Sequence, residues 1–393
     1  MFQIKTFNAI APEGLKKFSS NYEINKTENA DAYLIRSVDF HKKIFPDTLK
    51  IIVRCGAGFN NVPIKRATKK GIAVFTTPGS NANAVKELII SLIIASSRNL
   101  FKAADYSSHN SGADISKRVE REKTKFKGTE ITGKKLAVIG VGHVGSLVAN
   151  AASALGMKVI GYDPYLSSDA AWRISNTIYR AKNFAEAVKN ADYITIHVPK
   201  NKKTTGMIDE KELNIMKKGA HLFNYSRGGI VNNKAVLKSL SNKHLKTYMT
   251  DFGEDILLNQ ENVIITPHIG GSTSRAETNG SIQGANTIMD YLETGNVVYS
   301  VNLPDLQKPF NSLYRITLIH RNIPNMVGQI ASMIAKLGIN IESMANGARG
   351  RIAYTIIDIN NLNRKQDHKL AQLLRGISSV FNVRLLKNKV PFH

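Results

Sequence analysis

The sequence predicts an α/β protein: a doubly wound parallel sheet, a smaller α/β lobe before it and a βαββαβ unit after it. Three observations predict this. Lys134 to Asp163 reads as strand, glycine turn, helix, strand and acid within one βαβ unit. Strand, loop and helix then alternate to about residue 275, as a parallel sheet covered by helices requires. The last eighty residues restart with a different order of elements, that of a ferredoxin-like fold.

Residues 1 to about 85 carry short apolar runs at Ala32–Arg36, Leu49–Arg54 and Gly71–Phe75, each followed by a loop. Loops at the carboxyl ends of parallel strands carry ligands, which singles out Arg36, Ser37, Arg54, Gly56, Ala57, Gly58 and Asn81. Turn chemistry and surface charge explain the same residues equally well. Residues 82 to 104, with Ala84, Leu88, Leu92 and Ala95 in register, predict one long helix. The polar stretch 105–130 crowds Lys117, Arg118, Arg121, Lys123, Lys125 and Lys127, which reads as a solvated face with a cation or two in reach of an anionic substrate.

In the glycine turn, Gly140 allows a tight bend, Gly142 lets backbone N–H groups approach a pyrophosphate, and Gly145 lets the helix pack on the strand. The helix start adds partial positive charge. Asp163 stands 23 residues after Gly140, where a carboxylate accepts the ribose hydroxyls of an adenosine and repels a 2′-phosphate. The expected cofactor is NAD. Further strands at Tyr193–His197, His221–Tyr225 and Val263–Thr266 run into polar loops. Residues 276–298 read as a helix and 301–312, with Pro304 and Pro309, as a linker. After it come strands at 314–319, 339–344, 352–359 and 381–386, with helices at 326–337 and 365–375. The expected domains are 1–85 (completed by about 280–310), 86–279 and 312–393.

Composition excludes several classes. At 42% hydrophobic and 21% charged the chain is an ordinary globular one. Its start lacks the apolar run of a signal peptide, and the run Leu88–Ala95, broken by Ser91, is too short to cross a bilayer. Cys55 is the only cysteine, so no internal disulfide forms, and a cytoplasmic location is expected. Net charge is +24, but the cations are scattered, with no arginine-rich arm and no zinc-ligand spacing. A basic surface that draws in anionic substrates is expected, with no metal, no membrane and no specific nucleic acid.

Three strand-end residues suggest chemistry: Arg227, Glu254 and His268. An arginine beside Gly228 and Gly229 grips a carboxylate or carbonyl with two donors. A histidine with an acid partner exchanges a proton with an alcohol or ketone near neutral pH. Hydride transfer to or from a nicotinamide needs both. Each residue alone has a plainer reading, as a cap, a core histidine or a solvated acid.

Together with Arg54-Cys-Gly-Ala-Gly58, Gly140-Val-Gly-His-Val-Gly145, His197-Val-Pro199, Asn224-Tyr-Ser-Arg-Gly228 and Pro267-His-Ile-Gly-Gly-Ser-Thr273, these residues give a chain that resembles the D-2-hydroxyacid dehydrogenases over nearly its whole length. It is most like those members that oxidise 3-phospho-D-glycerate at the head of L-serine biosynthesis and carry a C-terminal ACT domain. The resemblance implies a Rossmann-type NAD domain, a flavodoxin-like substrate lobe and a regulatory ACT domain. It implies that Arg227 holds the substrate carboxylate and carbonyl, that His268 moves the proton and that Glu254 tunes it. It gives Asp251 to the nicotinamide carboxamide and adds His143, Val144, His197, Val198, Pro199, Ser226 and Gly270 to the cofactor set. Arg36, Arg54 and a lysine of the 117–127 cluster would neutralise the substrate phosphate.

Two departures stand out. Many members read Asp-Val-Phe-x-x-Glu-Pro at the catalytic acid, whereas this chain has Ile256 five positions after Asp251, leaving Glu254 or Asp255 as the acid; and Asn60 stands where many relatives have Asp. The segments His320–Gly328 and Gly338–Asn340 resemble an ACT effector loop, which implies L-serine at His320, Asn322 and Asn340 between paired domains, hence a homodimer or homotetramer. A plain dimerisation module explains the same loop. The alternatives for the whole chain are a hydroxypyruvate or glyoxylate reductase and a non-catalytic NAD-binding regulator.

Overall fold

The computed structural model of the chain describes residues 1–166, 168–360 and 362–388. The chain divides into two compact units, one of residues 1–80 with 277 onward and one of residues 81–276. The first unit starts with five parallel strands: β1 (Phe2–Thr6), β2 (Tyr22–Ile24), β3 (Ala32–Ile35), β4 (Ile51–Arg54) and β5 (Ala73–Thr76). Their spatial order is β2-β1-β3-β4-β5, the flavodoxin-like one. β3 and β5 are buried along their whole length, which is why they read as unbroken apolar runs rather than as alternating ones. One face packs on the helix Ser274–Thr294, where Ile288, Tyr291 and Leu292 share a core with Leu34, Val53 and Phe75. A Cβ on Gly284 would lie 2.7 Å from Leu34 Cδ1, so only glycine lets that helix lie so close.

The second unit holds seven parallel strands: β6 (Lys135–Ile139), β7 (Lys158–Tyr162), β8 (Tyr179–Arg180), β9 (Tyr193–Ile196), β10 (Ala220–Asn224), β11 (Leu245–Thr250) and β12 (Val263–Ile265). The order β12-β11-β10-β9-β6-β7-β8 is doubly wound, with its switch point between β6 and β9. Neighbouring residues of one strand feed opposite cores: Ala137 and Ile139 join one, Leu136 and Val138 the other.

The chain returns to the first unit for four antiparallel strands, β13 (Tyr314–Arg321), β14 (Ser343–Arg349), β15 (Ile352–Ile359) and β16 (Val380–Lys387), in the order β14-β15-β13-β16. Helices Met326–Ala335 and Arg364–Arg375 complete the βαββαβ pattern. One face of this sheet buries Ile316, Leu318 and Ile357 under its own helices. The other sends Ile319, Tyr354 and Ile356 into the core of helix Ser274–Thr294 and the five-stranded sheet. Residues 314–387 therefore group with residues 1–80, and the unit boundaries fall after 80 and 276 rather than after 85 and 279.

Three expected elements differ. The helix over 82–104 is two helices, Ala82–Ser97 and Leu100–Ser108, because Asn99 between them takes a left-handed φ of 50°. The strand expected from 339 begins at Ser343. The stretch 301–312 is no free linker. Buried Asn302 accepts from Val74 N (2.8 Å) and donates to Ile72 O (2.9 Å) and Thr68 Oγ1 (2.9 Å), while the Arg315 guanidinium donates to Lys308 O and Pro309 O.

Candidate active site

Register decides which residues meet in the second unit. Ile139, Ile196, Asn224, Thr250 and Ile265 pair one with the next across the sheet, and Ile139 also pairs with Tyr162. The residue after each of these is the first off the carboxyl edge, so Asp163, Gly140, His197, Tyr225, Asp251 and Thr266 stand in a row. Strands lie about 4.8 Å apart, so the acid after β7 and the loop after β11 are separated by roughly 19 Å, four spacings. The carboxyl edge at a switch point is where ligands bind in such sheets.

At one end is the glycine loop. Gly140 has φ 89° and donates to Tyr162 O (2.8 Å), and a Cβ on Gly145 would sit 1.9 Å from Gly140 O. Nothing lies within 4 Å of where a Gly142 Cβ would be, which leaves room at the start of helix His143–Ala154. Asp163 accepts from Val141 N (2.9 Å) through one oxygen and from Tyr165 N (2.9 Å) through the other, tying the acid to the loop. His143 is half-buried, and burial together with the charge of Arg173 pulls its pKa down. Burial pulls His197 down to about 3, so this ring is neutral; its Nε2 lies 3.0 Å from Thr195 Oγ1. The Ser226 hydroxyl donates to Val198 O and joins the two loops.

At the other end are the expected reacting groups. Arg227 is half-buried, and among the described residues no carboxylate pairs with it. Its Nη1 donates to Ser226 O (2.7 Å), Asn224 Nδ2 holds its carbonyl (3.0 Å), and burial lowers its pKa. His268 is exposed, with φ 55°, and its ring meets the edge of Phe252 at 5.0 Å between centroids. The same Phe252 lies 3.4 Å from where a Gly228 Cβ would be. Phe252, which the sequence does not single out, thus touches the His268 ring and lies against Gly228, the residue after Arg227. Glu254 and Asp255 are both exposed, and among the described residues neither carboxylate bonds to His268. The expected acid–imidazole pair is not formed in this arrangement.

Residues 90–270 match the family described as D-isomer specific 2-hydroxyacid dehydrogenase, NAD binding domain. The D-3-phosphoglycerate dehydrogenase of Escherichia coli K12 is 31% identical over 340 residues, covering 84% of this chain and 79% of that protein. The chain belongs to the D-isomer-specific 2-hydroxyacid dehydrogenases. The D-3-phosphoglycerate dehydrogenase of Methanocaldococcus jannaschii is 33% identical over 320 residues, 78% of this chain, which spans 58% of that relative's length. The crystal structure of NAD+-bound 3-phosphoglycerate dehydrogenase from Entamoeba histolytica is similar at 25% identity and a TM-score of 0.60, covering 78% of this chain and 99% of that one.

NAD is the cofactor of the matched 2-hydroxyacid dehydrogenase domain, and the residues present fit it. The open space at Gly142 and the helix start suit a pyrophosphate. Each Asp163 oxygen keeps acceptor capacity for a ribose hydroxyl. Asp251 is 4% exposed and accepts from Thr266 Oγ1, Ile269 N and Gly270 N, which leaves about one acceptor position for a carboxamide.

The residues expected to meet the substrate's other end lie mostly in the first unit. Arg54 donates from Nε to Arg36 O (3.2 Å), and a Cβ on Gly56 would be 2.4 Å from Arg54 Nη1, so glycine there makes room for the guanidinium. Ala57 and Gly58 continue that loop. Arg36 is not free: its Nη2 lies 2.6 Å from Glu277 Oε1. The Ser37 backbone donates to Asn8 Oδ1 (3.0 Å). Asn81 belongs to the second unit, where its amide fills the place a Gly271 side chain would take. Four cations of the cluster at 117–127 are held in ion pairs: Lys117 with Asp114, Lys123 with Glu120, and Arg121 and Lys125 with Glu122.

The expected effector residues divide. Asn322 and Asn340 are exposed, donating to Gly350 O (3.0 Å) and Glu342 Oε1 (3.3 Å). His320 is 1% exposed, with Nδ1 2.8 Å from Arg321 O and Nε2 2.8 Å from Thr355 Oγ1. The expectation that it meets an effector directly is corrected: its side chain alternates into the sheet, and both nitrogens are occupied. Among the described residues no helix is long and apolar enough to cross a membrane.

Proposed function

We propose that this 2-hydroxyacid dehydrogenase oxidises 3-phospho-D-glycerate to 3-phosphohydroxypyruvate with NAD, the entry to L-serine synthesis. Bound NAD supplies the hydride acceptor. Arg227 carries the reading: a half-buried guanidinium with no carboxylate partner among the described residues, one residue past Ser226, grips a carboxylate and the neighbouring oxygen with two parallel donors. The exposed imidazole of His268 takes the hydroxyl proton as the carbonyl forms, and Glu254 (or Asp255) partners the imidazolium once substrate excludes water. Arg54 and the N–H groups around Gly56–Gly58 serve the phosphate, joined by Arg36 when it releases Glu277.

L-serine would bind at Asn322 and Asn340, with His320 fixing the strand beneath them. A homodimer or homotetramer is supported by exposed Ile94, Leu100, Phe101 and Ile115, carried by three successive helices. A cytoplasmic location is supported by the single cysteine, Cys55, a buried thiol that burial pushes up to about 12. The test is a steady-state assay with NAD and 3-phospho-D-glycerate, with and without serine, against D-glycerate and D-lactate. Turnover of the unphosphorylated acids alone would replace this reading with a hydroxypyruvate- or glyoxylate-type reductase. NAD binding without any turnover would leave a regulatory protein.

A further inference from the structure

We propose that Asp251 is a positioning residue whose carboxylate grips the turn 266–270 and so presents His268 to the reaction; the proposal rests on the reading of His268 as the proton carrier. The carboxylate is buried, 4% exposed, directly off the end of β11. It holds the turn on both sides of the histidine. Oδ1 accepts from Thr266 Oγ1 (2.5 Å) and Ile269 N (2.9 Å), and Oδ2 accepts from Gly270 N (2.7 Å). Those donors lie two residues before, one after and two after His268.

The grip matters because of the backbone it restrains. His268 has φ 55°, in the left-handed region that L side chains avoid, and its own N–H donates to Thr266 O (2.9 Å) in a tight turn. Strain of this kind persists only where the surroundings over-determine it. Here a charged acceptor takes three donors of a five-residue turn, and bonds to an ionised acceptor are about twice as strong as neutral ones. Gly270 is part of the device: a Cβ there would lie 3.0 Å from Asp251 Oδ2, so a side chain would push the carboxylate off its donor. Since about three of the four acceptor positions already serve the turn, the carboxylate acts chiefly on the protein, and any bond to the cofactor is its smaller task.

Asp251→Asn tests this, because the amide turns one acceptor oxygen into a donor facing Gly270 N. The full-length variant without cofactor should show faster backbone amide exchange at Ile269 and Gly270 and displaced His268 ring signals by NMR. Displacing the imidazole by about 1 Å should lower kcat up to roughly a hundredfold. Thr266→Val, which removes one bond of the grip and keeps the charge, should show the same signature more weakly with NADH affinity unchanged; it also serves if the asparagine variant does not fold. Unchanged amide exchange and ring signals in cofactor-free protein, with the loss confined to NADH affinity, would overturn the proposal and leave Asp251 a cofactor ligand. The exchange and ring measurements need no substrate, so they stand or fall separately from the assigned reaction.

Discussion

Arg227→Lys probes the substrate grip most directly. The guanidinium has five donors, of which one goes to Ser226 O at 2.7 Å, so a coplanar pair remains for a carboxylate. Lysine keeps the charge and loses the fork, so one of two charge-assisted bonds disappears. Such a bond contributes about 1.5–3 kcal/mol, and at about 1.4 kcal/mol per decade kcat/KM should fall roughly ten- to 150-fold. NADH affinity should stay within about threefold if, as proposed, the guanidinium grips the substrate and not the dinucleotide. The variant should also gain a pH dependence. The burial that lowers the Arg227 pKa leaves arginine charged, whereas a desolvated lysine deprotonates readily, so variant activity should fall as pH rises where wild-type activity holds. Steady-state kinetics across pH and NADH fluorescence titration make the measurement. A kcat/KM within twofold of wild type, or equal losses in kcat/KM and NADH affinity, would refute the assigned contact.

Three further outcomes are expected. His268→Ala should lower kcat by about 10²–10⁴ with NADH binding intact, since the proposed proton carrier is an exposed ring outside the core; equal losses in turnover and affinity would make it structural. Asp163→Ala should relax the preference for NAD over NADP, read as the ratio of kcat/KM values, because the carboxylate that accepts Val141 N and Tyr165 N would otherwise face the 2′-phosphate; an unchanged ratio places ribose recognition elsewhere. Asp358→Asn should destabilise the first unit by about 3–5 kcal/mol by breaking a buried pair with Arg315, which is fully buried and bonded to Asp358 at 2.7 and 3.1 Å. Burial alone would raise the Asp358 pKa, but Arg315 and Lys308 outweigh it and hold it below its ordinary value. Its stabilisation is therefore complete above the unfolded value of about 3.9 and is lost as pH falls through the lower folded value. Denaturant titrations should show the gap between wild type and variant narrowing below about pH 4; a gap constant with pH would mean the pair is not ionised in the fold.

The parts of this chain legible in its sequence are those that local rules govern. A strand buried on both faces reads as a mostly apolar run, so β3 and the Leu136–Ile139 part of β6 announce themselves. A turn at φ 89° at Gly140 and a helix on which a Gly145 Cβ would lie 1.9 Å from Gly140 O admit little but glycine, so the loop 140–145 is written in composition alone. The break at Asn99, the anchoring of 301–312 through Asn302 and Arg315, and the burial of His320 were not legible. Each depends on partners far along the chain, Thr68 for Asn302 and Thr355 for His320.

The site divides the same way. Residue types and spacing nominate Arg227, Asp163 and His268, because an anion grip, a ribose acceptor and a proton carrier would each need a particular side chain at the end of a strand. Strand register alone set Asp251 beside Thr266 and Gly270, and the folded loops alone put Phe252 against His268 and Gly228. Pairing in three dimensions has no period along the chain, so the groups that hold the reacting residues in place are found only once the strands are laid side by side.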